Sequence, residues 1–234
     1  MRFTKKDILD IESLEPNEIS MILDTAYGMK EISERAVKKV PTLRGKTIVL
    51  FFQEPSTRTK LSFDTAAKRL SADSLSISKS SSSIVKGETL IDTAKNLEAM
   101  NPDVIVLRHP SSGAAHLIAK RVRASVINAG DGIHAHPSQA LLDMMTVREK
   151  KGKIKGLKIS IIGDIAHSRV ARSDITGFSK MGAHVFICAP GTMIPMGIEN
   201  LGCTISPNIE TCIEGADIIM MLRIQKERQG NILF

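Results

Sequence analysis

Aromatic side chains are scarce in this sequence: 3% of 234 residues, with no Trp and a single Tyr. A base-stacking platform for single-stranded nucleic acid is therefore disfavoured. Long apolar runs are missing as well. The longest, such as Ile218–Leu222, fall far short of the roughly 20 residues a membrane-spanning helix needs. The opening Met-Arg-Phe-Thr-Lys-Lys-Asp leads into no apolar stretch, so no secretion signal is expected. Cysteine is limited to Cys188, Cys203 and Cys212, an odd number without metal-ligand spacing, as fits a reducing cytoplasm. The phosphate-binding G-x-x-x-x-G-K-[ST] loop is absent. The segment Lys158–Cys188 contains Gly163 but no G-x-G-x-x-G, and Cys188-Ala189-Pro190 stands where a dinucleotide-binding unit would place an acid.

What is present is ordinary globular composition, 42% hydrophobic and 24% charged. The length fits one large domain or two small ones. Lys and Arg number 32 against 25 Asp and Glu, a net charge of +7 that favours anionic partners. The basic residues are spread along the chain, which points to small phosphorylated or carboxylated ligands before nucleic acid.

Thr4 can cap a helix from Lys5, and Asn17 a second helix toward Arg35 with Ile19, Ile22, Leu23 and Ala26 at helical spacing. Lys46–Phe52 is a nearly continuous apolar run, the pattern of a parallel strand buried on both faces. Similar runs recur at Ser74–Ser78, Val104–Leu107, Ala124–Asn128, Lys158–Ile162, His184–Cys188 and Ala216–Leu222. Helical stretches fall between most of them, at Thr57–Leu70, Glu88–Met100, Ala114–Arg123, Ser138–Glu149, Ser168–Met181 and Ile209–Glu214. This alternation predicts an α/β protein with parallel sheets. The polar break Lys150–Gly156 predicts a domain boundary, giving domains 1–150 and 151–234 with the 138–149 helix leading across. Ser76–Lys86, with four consecutive serines, is expected to be a surface loop.

The chemistry concentrates where strands run into helices. After Lys46–Phe52 come Gln53-Glu54-Pro55-Ser56-Thr57-Arg58-Thr59-Lys60. Free backbone N–H groups at a helix start, three hydroxyls and the Arg58 fork together make an anion cradle. A lone Ser or Arg there is more often a cap or a solvated side chain; the cluster is what carries the reading. Arg108 closes the Val104–Leu107 run, and His136 opens the Ser138–Glu149 helix with Gln139 one turn along. Arg169 and Arg223 both follow strands of the second half, and paired arginines suit a dicarboxylate.

Ser-Thr-Arg-Thr after an apolar strand resembles the carbamoyl-phosphate signature of the aspartate and ornithine carbamoyltransferases. His136-Pro137-Ser138-Gln139-Ala140-Leu141-Leu142-Asp143 resembles that family's HP-[ST]-Q-x-L-x-D, and Arg108 matches a third site position. The block Gly163-Asp164-Ile165-Ala166-His167-Ser168-Arg169-Val170-Ala171-Arg172-Ser173 is similar to the GD-x-x-HSRVARS segment of the family's aspartate-using branch. Leu222-Arg223-Ile224-Gln225-Lys226-Glu227-Arg228 is similar to that branch's LRxQxER.

The resemblance implies two doubly wound parallel-sheet domains with helices on both faces. It implies transfer of a carbamoyl group from carbamoyl phosphate to L-aspartate in de novo pyrimidine biosynthesis, with ornithine the alternative acceptor. Ser56, Thr57, Arg58, Thr59, Arg108, His136 and Gln139 would hold carbamoyl phosphate, and Arg58, Thr59, Arg108 and His136 would act in catalysis. His136 would be a neutral donor, its pKa held down by the helix start. Arg169, Arg223, Gln225 and Lys86 would hold aspartate. Ser82 and Lys86 would come from a neighbouring subunit, which implies a homotrimer with shared sites and leaves room for regulatory chains. No metal or organic cofactor, nucleic acid or membrane enters. Family members continue past the LRxQxER block through further strands, an HPLPR-like loop and a final helix, so the second domain is expected to be incomplete in the 234 residues.

Overall fold

The computed structural model describes residues 3–78 and 89–225. Ser82, Lys86 and most of the serine-rich stretch lie outside the described residues. The chain forms two compact units, Met1–Asp10 with Asp24–Pro137, and Ile11–Leu23 with Ser138–Phe234.

The first unit is built on strands β1 (Thr47–Phe52), β2 (Asp73–Ser78), β3 (Val104–His109) and β4 (Ser125–Asp131), all parallel in the order β2-β1-β3-β4. Its apolar strand residues divide by parity, because successive side chains point to opposite faces. Val49, Phe51, Ile105 and Leu107 pack with Ala94 and Leu97 of α3 (Leu90–Glu98) and Ala114, Ala115 and Ile118 of α4 (Ala114–Ala119). Ile48, Leu50, Phe52 and Val106 pack with Ala67 of α2 (Thr57–Arg69) on the other face. Helices therefore cover both faces, which is why β1 and β3 read as unbroken hydrophobic runs. Polar β2 forms one edge.

The segment predicted to be a helix from Lys5 is extended instead. Ile8 N donates to Val126 O and Ile8 O accepts from Asn128 N, both at 2.9 Å, and Asp7 Oδ1 takes the N–H of Val126. The backbone groups of β4's edge offer more partners than one exposed helical turn would. The next helix, α1 (Pro16–Glu34), starts at a proline, where the missing N–H costs nothing. Glu18 reaches back to the N–H of Glu15 at 2.9 Å, so Glu15 rather than Asn17 occupies the capping position. Ser76–Ser78, where the predicted strand Ser74–Ser78 and the predicted loop from Ser76 overlap, belong to β2, paired with Leu50–Phe52.

The second unit contains α5 (Pro137–Lys151) from Ser138 on, β5 (Lys158–Ile162), α6 (Arg169–Lys180), β6 (His184–Cys188), β7 (Cys203–Ile205), α7 (Ile209–Ile213) and β8 (Ile218–Met221). Its sheet is parallel in the order β7-β6-β5-β8. Lys180 of α6 anchors the start of the chain in this unit by donating to the carbonyls of Glu12 and Leu14. Gly163 ends β5 at φ +123°, and a Cβ there would lie 2.5 Å from the carbonyl oxygen of Leu222. Neither the backbone nor the neighbouring strand has room for a side chain. Gly163→Ala should lower unfolding free energy by about 2–4 kcal/mol in a urea melt. A midpoint equal to wild type would show that β5 and β8 are not held this closely.

Candidate active site

Both sheets reverse their winding direction once. In the first, β2 lies to one side of β1 and β3 and β4 to the other; in the second, β6 and β7 lie to one side of β5 and β8 to the other. The crevice outside the strand carboxyl ends at such a reversal is where open parallel sheets receive ligands. Ser56–Thr59 and Arg108 follow the strands at the first reversal, and Arg169 and Arg223 follow those at the second.

In the first unit, β1 leads into α2 through Gln53–Ser56. Ser56 occupies the N-cap position of α2 with an extended φ of −162°, yet its hydroxyl makes no capping hydrogen bond. The hydroxyl is thus not spent on capping the helix. Thr57 and Arg58 are exposed and Thr59 is half-buried.

Arg108, at the end of neighbouring β3, draws the rest together. Its Nη1 donates to the carbonyl of Ala129 at 3.2 Å and lies 3.4 Å from both Thr59 Oγ1 and His136 Nε2. Its Nη2 is 3.1 Å from Glu54 Oε1, and the Arg108 side chain keeps only 11% of its exposure. A guanidinium can only donate, so a hydrogen bond between the two has His136 Nε2 as its acceptor. The structure therefore brings together Thr59, Arg108 and His136 and adds Glu54, whose role was not anticipated. Its position two residues before the Ser-Thr-Arg-Thr block was the only signal.

The turn before His136 is organised by fully buried Asp131. Its carboxylate accepts from Gly113 N at 2.6 Å, Asn128 Nδ2 at 2.8 Å and Ala135 N at 3.1 Å, and His134 Nδ1 lies 3.1 Å away. Burial alone would raise its pKa, but the hydrogen bonds from His134 and Asn128 outweigh that and hold the carboxyl below its ordinary value. Gln139 lies in the first turn of α5, its Nε2 donating to Asp143 Oδ1 at 3.0 Å.

In the second unit, buried Asp164 follows β5 and links two strand ends. Oδ1 binds the backbone N and Nδ1 of His167 at 3.2 and 2.8 Å, and Oδ2 accepts the Gln225 N–H at 3.0 Å. Arg169 opens α6, capped by Ser168, whose hydroxyl accepts from Ala171 N. Arg169 is buried, whereas Arg223 is exposed two residues beyond β8. The two predicted clamp arginines thus follow adjacent strands at the reversal, in different settings. Lys226 and the residues after it lie outside the described residues.

Fold and site define a class: a protein of two open, doubly wound parallel sheets with arginines at both winding reversals. Residues 6–149 match the aspartate/ornithine carbamoyltransferase carbamoyl-P binding domain, and the chain belongs to the aspartate/ornithine carbamoyltransferase family. It is 79% identical over 234 residues to the aspartate carbamoyltransferase catalytic subunit of Desulforapulum autotrophicum, covering all of this chain and 75% of that protein. Aspartate transcarbamoylase from Trypanosoma cruzi, solved with carbamoyl aspartate and phosphate, superposes with a TM-score of 0.87 at 29% identity, over 97% of this chain and 77% of that one. Ornithine carbamoyltransferase from Pyrococcus furiosus superposes with a TM-score of 0.84 at 31% identity, over 96% of this chain and 74% of that one. The same backbone architecture thus occurs in relatives named for either acceptor. Among the described residues no three metal-ligating side chains cluster, and no helix is long and apolar enough to cross a membrane.

Proposed function

We propose that this chain transfers the carbamoyl group of carbamoyl phosphate to the α-amino group of L-aspartate, giving N-carbamoyl-L-aspartate and phosphate, a step of de novo pyrimidine synthesis. The observation that carries the reading is Arg108 held between Thr59, His136 and Glu54, beside the Ser56–Arg58 cradle. The first 150 residues serve carbamoyl phosphate and residues 151–234 serve aspartate. Ser56, Thr57 and Arg58 grip the phosphate. The neutral amine attacks the carbamoyl carbon, a C–N bond forms, and negative charge grows on the carbonyl oxygen. Thr59, Arg108 and His136 donate to that oxygen. An oxygen between the guanidinium and the imidazole selects the tautomer with hydrogen on Nε2. The C–O bond to phosphate then breaks, and the leaving phosphate takes the charge and the proton shed by nitrogen. Such donors contribute on the order of 10²–10³ each in rate, and alignment of the two substrates supplies much of the rest.

Arg169, Arg223 and Gln225 hold the two carboxylates of aspartate. Ornithine carries a cation on its side chain, which two arginines repel. Ser82 and Lys86 reach the site of a neighbouring subunit in a cytoplasmic homotrimer, to which regulatory chains can attach. The test is carbamoyl transfer with aspartate and ornithine as competing acceptors. Carbamoyl-aspartate as the sole product is expected, and product from ornithine alone would overturn the assignment of Arg169 and Arg223.

A further inference from the structure

Gln139 is asked to accept a hydrogen bond from the carbamoyl NH2, yet a glutamine amide can present either end. Its terminal torsion is broad and roughly two-fold, and its oxygen and nitrogen have nearly the same shape. An acceptor role therefore needs a neighbour that holds the NH2 group elsewhere.

We infer that Asp143 is a positioning residue for carbamoyl-phosphate recognition, fixing Gln139 with its NH2 turned inward and its carbonyl oxygen turned to the ligand. This rests on the proposed role of Gln139. The two residues stand four apart on α5, and Gln139 Nε2 donates to Asp143 Oδ1 at 3.0 Å. An ionised carboxylate has only acceptors, so it binds the NH2 end and rejects the oxygen end. A neutral amide or alcohol at 143 would accept either orientation.

Of two neighbouring buried carboxyls, Asp143 is the one that holds the charge. Asp174 of α6 is fully buried, and neither of its carboxyl oxygens has a hydrogen-bond partner among the described residues. A carboxylate cannot be sustained there, and burial followed by the nearby Asp143 charge pushes its pKa well up. Asp174 is thus the neutral member and Asp143 the ionised one. Burial raises Asp143 to about 6, with the Gln139 hydrogen bond pulling the other way. At pH 8 it is a carboxylate.

The test compares two anions. Carbamoyl phosphate has the NH2 that Gln139 reads; inorganic phosphate lacks it. Dissociation constants of both are measured by titration calorimetry at pH 8 on the 234-residue chain and on Asp143→Leu, Asp143→Asn, Gln139→Ala and the double variants. Asp143→Leu should weaken carbamoyl phosphate roughly tenfold and Asp143→Asn about threefold, with phosphate unchanged within twofold. In the Gln139→Ala background both effects should vanish, because Asp143 acts only through Gln139. Equal weakening of both anions, or losses that persist without Gln139, would overturn the inference. If Asp143→Leu fails to fold, the Asp143→Asn pair decides by the same two criteria. If Gln139→Ala leaves carbamoyl phosphate binding untouched, the reading of Gln139 itself falls, a result distinct from failure of Asp143.

Discussion

Alanine at position 58 should lower kcat/KM for carbamoyl phosphate by on the order of 10³ while leaving thermal unfolding within about 1 °C. The contrast follows from where Arg58 stands. It is exposed in the first turn of α2 and makes no ion pair among the described residues, so its removal strands no buried partner. Its guanidinium fork matches two phosphate oxygens, and each charge-assisted hydrogen bond contributes about 1.5–3 kcal/mol. Two such bonds amount to roughly 4 kcal/mol, which is about three decades in rate. Arg58→Lys keeps the charge but not the fork and should recover only part of the loss. Steady-state kinetics with carbamoyl phosphate varied at saturating aspartate supply the readout. Wild-type kinetics in the alanine variant would remove the phosphate assignment from the strand–helix turn.

The central strands were legible because both of their faces are covered. Ile48–Phe52, Ile105–Leu107 and Ile159–Ile162 are buried without interruption, so apolar runs alone located them. Strand β7 (Cys203–Ile205) escaped notice because only Cys203 of its three residues is buried, which leaves neither a run nor an alternation to read. The Lys5 helix failed for the complementary reason. Local capping signals describe what a segment can do alone, while Ile8 answers to β4, more than a hundred residues away. Sequence spacing likewise placed arginines at strand ends without saying which ends are neighbours. That Arg58 and Arg108 flank one winding reversal, and Arg169 and Arg223 the other, depends on strand order. The supporting carboxylates were the least legible. Glu54, Asp131 and Asp164 act by joining loops distant in sequence, and nothing in their local patterns names the partner.

Methionine in place of Arg108 should cost activity and stability together, unlike the change at Arg58. Arg108 donates to the Ala129 carbonyl and the Glu54 carboxylate, and with 11% of its side chain exposed it is shielded from water. Deleting the guanidinium takes the Arg108 cation away from Glu54, itself 24% exposed. Partial solvent access limits that penalty, and the expected loss is about 1–3 kcal/mol in unfolding free energy. The catalytic loss is larger. Arg108 lies 3.4 Å from both Thr59 Oγ1 and His136 Nε2, so it sets the spacing of the other two donors as well as supplying its own. Removing one donor of such a set costs on the order of 10²–10³ in kcat, and loosening two more places Arg108→Met at or beyond the upper end. The loss should appear mainly in kcat, because charge on the carbonyl oxygen is far greater in the transition state than in bound substrate. Adding Glu54→Gln separates the two effects: it should restore part of the stability by removing the carboxylate that Arg108 had neutralised and none of the activity. Recovery of turnover in that double variant would mean that Arg108 serves only to neutralise Glu54, and that the oxyanion donors lie elsewhere.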